Sequence, residues 1–373
     1  MSFVYPGSAW PTRSWPSRYW PEAGTTPPEP EPTLLPDVGW VHGLYALILV
    51  GDRQGVVMGE MAEAEIESVT WTLNEAGEAR LNVPNPGTAE RLIALGNRLL
   101  IYLDNGLPPW AGYMDPPRGR RWGSISLTGY GGERLLEHRV TARTRAFAAA
   151  TAGSIFLALL AEQARPVVME AGNVDISGAT IAAEYHYQSL LEAVNGLLET
   201  AGGDWNVSGA LENGRIRLRA NYYRQRGRYL ANVYLLEGHN IGESDVEEQG
   251  PIVYEWLTAG AGNGWEPWSR AFAAARDDVS AERHGLRQAG EVVSGITSRA
   301  ALEAYTARNL AVTAEPYVAV TLDAVNLPPA RFGDYEVGDW INLALYSVPF
   351  QGVRRVIGRE FDPRAGACRL VVV

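Results

Sequence analysis

RLLIYLDNGLPPWAGYMDPPRGRRWGSISLTGYGGERLLEHRV occupies residues 98–140. It holds three short runs rich in β-branched and aromatic residues, RLLIYLDN, PPWAGYMDPP and WGSISLTGYG, broken by Gly, Pro, Asn and Asp. That is the composition of strands joined by tight turns. Within SISLTGY the apolar side chains alternate at Ile125 and Leu127, which predicts one face in a core and the other exposed. The glycines of GYGGERLL (129–136) lack the Gly-Lys-Ser/Thr ending of a phosphate cradle and do not open a βαβ unit. They predict a bent strand end.

Upstream, GLYALILVG, EIESVTWTLN and EARLNVPNP continue the pattern, with Val69, Trp71 and Leu73 alternating. Residues 41–140 therefore predict a first β module. Downstream the period changes. GSIFLALLAEQARP places Ile155, Phe156, Leu159 and Leu160 on one helical face, with Pro166 as a stop. YQSLLEAVNGLLETAGG repeats the theme with Leu190, Leu191, Val194, Leu197 and Leu198, and Gly202-Gly203 signals a C-cap. DWNVSG and GRIRLRANYY predict a hairpin across ALENG, so 141–235 reads as a small α+β module.

From 236 strands return in PIVYEWLTAG, PYVAVTLDA, DWINLALY, GVRRVIGREFD and ACRLVVV. Between the first two, AGNGWEPWSRAFAAARDDVSAERHGLRQ (261–288) reads as a long, partly irregular loop. A helix follows from near Ser298, carrying Leu302, Tyr305 and Leu310 and stopping before Pro316. Residues 236–373 thus predict a second β module with an inserted loop and helix. The fold class is α+β, dominated by β.

Residues 1–40 read as an extended arm. Trp10-Pro11, Trp15-Pro16 and Trp20-Pro21 recur at five-residue spacing, with Arg13, Arg18 and Tyr19 among them. Prolines at 27, 28, 30, 32 and 36 then hold the chain near polyproline II. A segment without a core of its own has nowhere to bury three tryptophans. Trp10, Trp15, Trp20, Arg13, Arg18 and Tyr19 are accordingly expected to dock on a neighbouring subunit.

The chain of 373 residues carries a net charge of −11, which argues against general nucleic-acid binding, since that needs a basic face. Every basic residue is arginine. Cys368 stands alone, so no internal disulfide can form, and a buried apolar role in a protein made in a reducing cytosol is expected. The start MSFVYPGSAWP lacks the features of a signal peptide. LYALILV is far short of the about 20 apolar residues that cross a bilayer.

Catalytic motifs are missing from the sequence. The histidines at 42, 138, 186, 239 and 284 are scattered singly, without HExxH or zinc spacing, and no GxSxG elbow occurs. Acidic neighbours do exist at Asp277-Asp278, Glu247-Glu248 and Glu60, Glu63 and Glu65. Together with the tryptophans they keep open a carbohydrate-active or carbohydrate-binding β protein, because a glycosidase needs paired carboxylates.

In order along the chain, GEARLNVPNPG, the step Trp110-Ala111-Gly112-Tyr113 and the step from Leu127 to Arg139 resemble the baseplate hub proteins of siphophages. That family is similar to the trimeric hub of contractile-tailed phages. SLLEAVNGLLETAGGDWNV, ERHGLRQAGEVV and YEVGDWINL (335–343) extend the resemblance over about residues 41–373. The Trp-Pro arm departs from it. The resemblance implies two β-barrel-like tail-tube modules flanking the α+β module, and a homotrimeric ring without cofactor, metal or catalytic residue. The ring would join the distal tail protein or tail-tube ring to tip or fibre proteins in the virion, with a tape-measure end as a further partner and no membrane insertion. Genomic DNA would pass through its lumen without specific binding. A distal tail protein or other minor tail ring of sixfold symmetry is the alternative within the class. The segment RANYYRQRGRYL (219–230) is expected at an interface, through Tyr222, Tyr223, Arg224, Arg226 and Arg228.

Overall fold

The computed structural model describes residues 46–373 except 85–86, 122, 142, 164–167, 250–251, 263–269, 294–295, 297–298, 315–316 and 349. Seven strands come first: β1 (Ala46–Gly51), β2 (Val57–Glu60), β3 (Glu65–Thr72), β4 (Glu78–Pro84), β5 (Arg98–Leu103), β6 (Trp110–Arg121) and β7 (Ser124–Gly131). They pair antiparallel in the order β3-β4-β7-β6-β5-β1-β2. β5 reads as an unbroken apolar run because both of its faces are covered. Leu99, Ile101 and Leu103 enter one core, Leu100 enters a second, and Tyr102 packs against that second core. Side chains alternate along a strand, so β5 is the wall between two cores.

The Trp110-Ala111-Gly112 step has a packing cause. The Trp110 indole donates to the Thr70 carbonyl at 3.1 Å and is 2 % exposed. A Cβ on Gly112 would stand 2.5 Å from that ring and 2.1 Å from the Tyr130 carbonyl oxygen. No larger residue fits there.

The middle of the chain supplies β8 (Arg145–Thr151), α1 (Ala152–Leu160), β9 (Glu170–Val174), β10 (Thr180–Tyr185), α2 (Leu190–Ala201), β11 (Asp204–Glu212) and β12 (Arg215–Tyr223). Both expected helices form. α1 buries Ile155, Phe156, Leu159 and Leu160, and α2 buries Leu190, Val194, Leu197 and Leu198. A capping box starts α2: Glu192 N–H donates to Ser189 Oγ and Ser189 N–H to Glu192 Oε2, both at 3.1 Å. Gly202 ends it with φ of 75°. The β11–β12 hairpin turns on Asn213-Gly214, both at positive φ, as a two-residue I′ turn requires. Trp205, Ile216, Leu218 and Tyr222 of this hairpin complete the second core with the two helices.

The remainder comprises β13 (Tyr229–Leu236), β14 (Ile241–Gln249), β15 (Glu255–Ala259), β16 (Phe272–Arg276), α3 (Asp278–His284), β17 (Gln288–Val292), α4 (Arg299–Thr313), β18 (Tyr317–Val325), β19 (Trp340–Leu345), β20 (Phe350–Asp362) and β21 (Ala367–Val372). α4 lies where the sequence places a helix. The stretch 261–288, expected to be irregular, holds β16, α3 and the first residue of β17. β16 and β17 flank β15 in a three-stranded sheet whose one face packs on α4. Its other face leaves Leu257, Phe272 and Val292 exposed, so the apolar pattern does not mark the buried side. Asp277, half of an acidic pair, accepts from Ser280 N–H at 3.1 Å and caps α3.

The two β groups do not stay apart. β20, thirteen residues long, pairs its first half with β19 and its second half with both β21 and β3. The path β14-β18-β21-β20-β3 therefore runs into the first seven strands as one 13-stranded sheet, with β13 and β19 beside it. Among the described residues no sheet closes on itself. One apolar core contains Leu99 and Leu127 from the first strands and Val320, Leu343 and Leu370 from the last. Cys368 lies in it, and burial pushes its thiol up to about 11. Among the described residues no helix is long and apolar enough to cross a membrane.

Leu100→Ala should cost about 2–5 kcal/mol, the range for a leucine deleted from a closed core. Ser189→Ala should cost about 1 kcal/mol through the lost cap. Urea midpoints at unchanged slope would measure both.

Candidate functional site

Asp204 begins β11 directly after the Gly202-Gly203 helix stop, and it is 4 % exposed. Its Oδ2 accepts from Arg226 N–H at 2.7 Å and from Arg355 Nη2 at 2.5 Å. Its Oδ1 faces Asn74 Nδ2 at 3.4 Å, and Asn74 Oδ1 in turn accepts from Trp205 N–H at 2.8 Å. One carboxylate thus joins the β3–β4 turn, β11, the link after β12 and β20. Arg355 adds bonds to the carbonyls of Arg226 (2.9 Å) and Gly338 (3.1 Å). At Gly227 a Cβ would fall 2.1 Å from the Gly338 carbonyl oxygen, and φ is 88°, so the crossing of these two loops demands glycine.

Beside this junction lies a cavity of about 210 Å³ lined by Trp71, Trp110, Glu133, Ser208, Arg226 and Arg359, among others. Glu133 sits in the 3-10 turn Gly132–Leu136 and is 6 % exposed. Its Oε1 accepts from Val207 N–H at 2.6 Å. Burial drives its carboxyl up to about 7, opposed by the backbone hydrogen bonds and by the Arg226 charge. Arg359 is 1 % exposed and donates to the carbonyls of Tyr335 (3.0 Å) and Phe332 (2.7 Å). Its guanidinium lies over both their rings. An arginine held by two carbonyls and two π faces, its Nε without a hydrogen-bond partner, is a packing element.

The interface expected from RANYYRQRGRYL is only partly at the surface. Tyr222 is a core residue, a correction to that expectation: it is 2 % exposed, donates to the Gly202 carbonyl at 3.1 Å and packs on Phe156. Tyr223 is half-buried. Arg226 is turned inward, with its side chain on Glu336 at 3.3 Å. Arg224 and Arg228 are exposed. Trp10, Arg13, Trp15, Arg18, Tyr19 and Trp20 lie outside the described residues. Sequence reasoning missed Asp204, Arg355 and Glu133, since their partners lie 151 residues away in one case and 74 in another.

Strand β14, at the margin of the large sheet, presents Glu243, Asp245 and Glu247 at alternate exposed positions while Val246 packs inward. Exposed like charges on a sheet edge oppose unwanted strand pairing and repel anions. His138, His186, His239 and His284 meet separate partners: Tyr113, Thr144 with Glu184, the Pro328 carbonyl, and Tyr254. Among the described residues no group of three His, Cys, Asp or Glu side chains is placed to hold a metal ion.

No protein-family model and no curated protein sequence matches the chain. Solved structures do. The tail protein from Neisseria meningitidis MC58 superposes with a TM-score of 0.60 at 14 % identity, over 88 % of this chain and 96 % of that one. Prophage tail protein gp18 from Listeria monocytogenes EGD-e gives 0.58 at 13 %, over 87 % and 94 %. The 43 kDa tail protein of prophage MuSo2 from Shewanella oneidensis gives 0.57 at 12 %, over 88 % and 98 %. The chain has the fold of prophage tail proteins, in keeping with the hub-like family that the sequence resembles.

Asp204→Ala should cost about 3 kcal/mol, because it strands the partly buried Arg355 charge. Glu336→Ala, at an exposed pair, should cost under about 1 kcal/mol. Glu133 holds its proton more tightly folded than unfolded, so its stabilisation is full below about 4.5 and lost as pH rises through about 7. Glu133→Gln should therefore gain on the parent by about 3 kcal/mol between pH 4.5 and pH 8. Melting curves of both proteins across that range would read the difference.

Proposed function

We propose that this protein is a structural component of a phage tail tip, a hub that forms a ring of three copies between the tail tube and the host-facing tip. The observation that carries the proposal is the end-to-end match: tail proteins superpose over 87–88 % of this chain and 94–98 % of their own. A single shared module would match only part of each. In this reading the strand groups before residue 140 and after 236 act as the two barrel-like modules, with the α+β module between them.

The role is one of assembly without catalysis. Partners are the distal tail protein or tail-tube ring on one side, tip or fibre proteins on the other, and a tape-measure end within. The net charge of −11 and the carboxylates of β14 suit a surface that genomic DNA must pass without adhering. Trp10, Trp15 and Trp20 dock on a neighbouring subunit, flanked by Arg13, Arg18 and Tyr19. Arg224 and Arg228 supply exposed charge at an interface.

Cryo-EM of the assembled protein, or native mass measurement, should show three copies in a ring. Six copies would assign it instead to a distal tail or minor tail ring, and a monomer that binds a glycan would remove it from tail assembly. Deleting residues 2–23 should leave the thermal unfolding of the rest unchanged and reduce incorporation into tails. Normal incorporation would exclude the docking role of the arm.

A further inference from the structure

A second cavity, of about 240 Å³, opens between the β1–β2 turn and the strands β9 and β12. Arg98, Arg215 and Arg217 line it together with Gln54 and Glu170. Arg98 comes from β5, the wall between the two cores, and is 7 % exposed. It spends two of its five N–H donors on neutral acceptors, the carbonyls of Ile216 (2.8 Å) and Val168 (3.0 Å). Among the described residues neither Arg98 nor Arg215 forms an ion pair, whereas Arg217 pairs with Glu170. Asp52, the other acid in range of Arg98, accepts from the backbone N–H groups of Gln54 and Val56 at 2.9 Å and so ties its own turn.

The cavity lining thus holds three guanidinium groups and one carboxylate, and with Asp52 also within electrostatic reach of Arg98 one positive charge remains in excess, in a protein whose net charge is −11. Leaving a buried cation uncompensated is costly, and arginine forks suit oxyanions held by paired N–H donors. We infer that this cavity is a site for a phosphate-class anion, held by Arg98 at its floor and by Arg215 and Arg217 at its mouth. Because Arg98 belongs to the large sheet and the other two to β12, an anion here would join the large sheet to the sheet of β9, β11 and β12. The desolvation that lowers the pKa of Arg98 would be relieved by the same ligand.

The test is thermal unfolding of the full chain in inorganic phosphate, in acetate, and in sodium chloride at matched ionic strength. Phosphate should raise the midpoint saturably, by about 3 °C or more at large excess, and acetate should raise it less. Arg215→Ala, at an exposed position without an ion pair, should shift the half-saturating phosphate concentration about tenfold upward. Arg219→Ala, on the same strand but paired with Glu212, should respond like the parent. A phosphate effect no greater than that of chloride would overturn the inference. So would an equal effect of acetate, or a rise in Arg215→Ala indistinguishable from the parent, since phosphate also stabilises proteins generally by exclusion from their surfaces.

Discussion

The carboxylate of Asp204 is buried, and the chain wraps around that fact. Three segments distant in sequence must deliver donors to one buried group on β11: the β3–β4 turn through Asn74, the link at Arg226, and β20 through Arg355. A buried ion pair gains little over an apolar pair of the same shape, but removing one partner is severe. Such a contact specifies which segments meet more than it adds to stability. Here it sets where the α+β part meets the two strand groups, and Gly227 is the residue that lets the backbones come close enough.

Around that point the division of labour is simple. β5 separates two apolar cores and contributes leucines to both. The helices α1 and α2 seal the second core, and the β11–β12 hairpin carries it toward the junction. The first core takes side chains from both ends of the chain, which is why strands separated by more than 200 residues lie in one sheet. The small sheet β15–β17 with α4 is a satellite with its own modest core of Ala273, Ile296 and Leu302.

Local features were legible in the sequence where one period and one cap agreed. Both helices of the α+β part, the hairpin across ALENG, the bend at GYGGERLL and the helix over Arg299–Thr313 each rest on short-range chemistry. The segment 261–288 was not legible, because β16 exposes Phe272 and buries alanine. A strand that points its largest apolar residue outward carries no readable face. Nor was Tyr222 placed correctly: among arginines it reads as surface, yet the β12 pleat turns its ring toward Phe156. Glu133, Asp204 and Arg355 gave no signal at all, since each depends on a partner brought by tertiary folding. The continuity of the sheet through β20 shares that origin, as strand pairing across the whole chain leaves no local trace.

β20 also has a mechanical meaning. Its hydrogen bonds to β19 and β21 and those to β3 run along one continuous backbone. A hinge between the two strand groups would have to tear that ladder, so the pair transmits load as a single stiff plate. Force applied at one margin of the plate reaches the other through covalent bonds and shear-loaded ladders, with no soft joint in between.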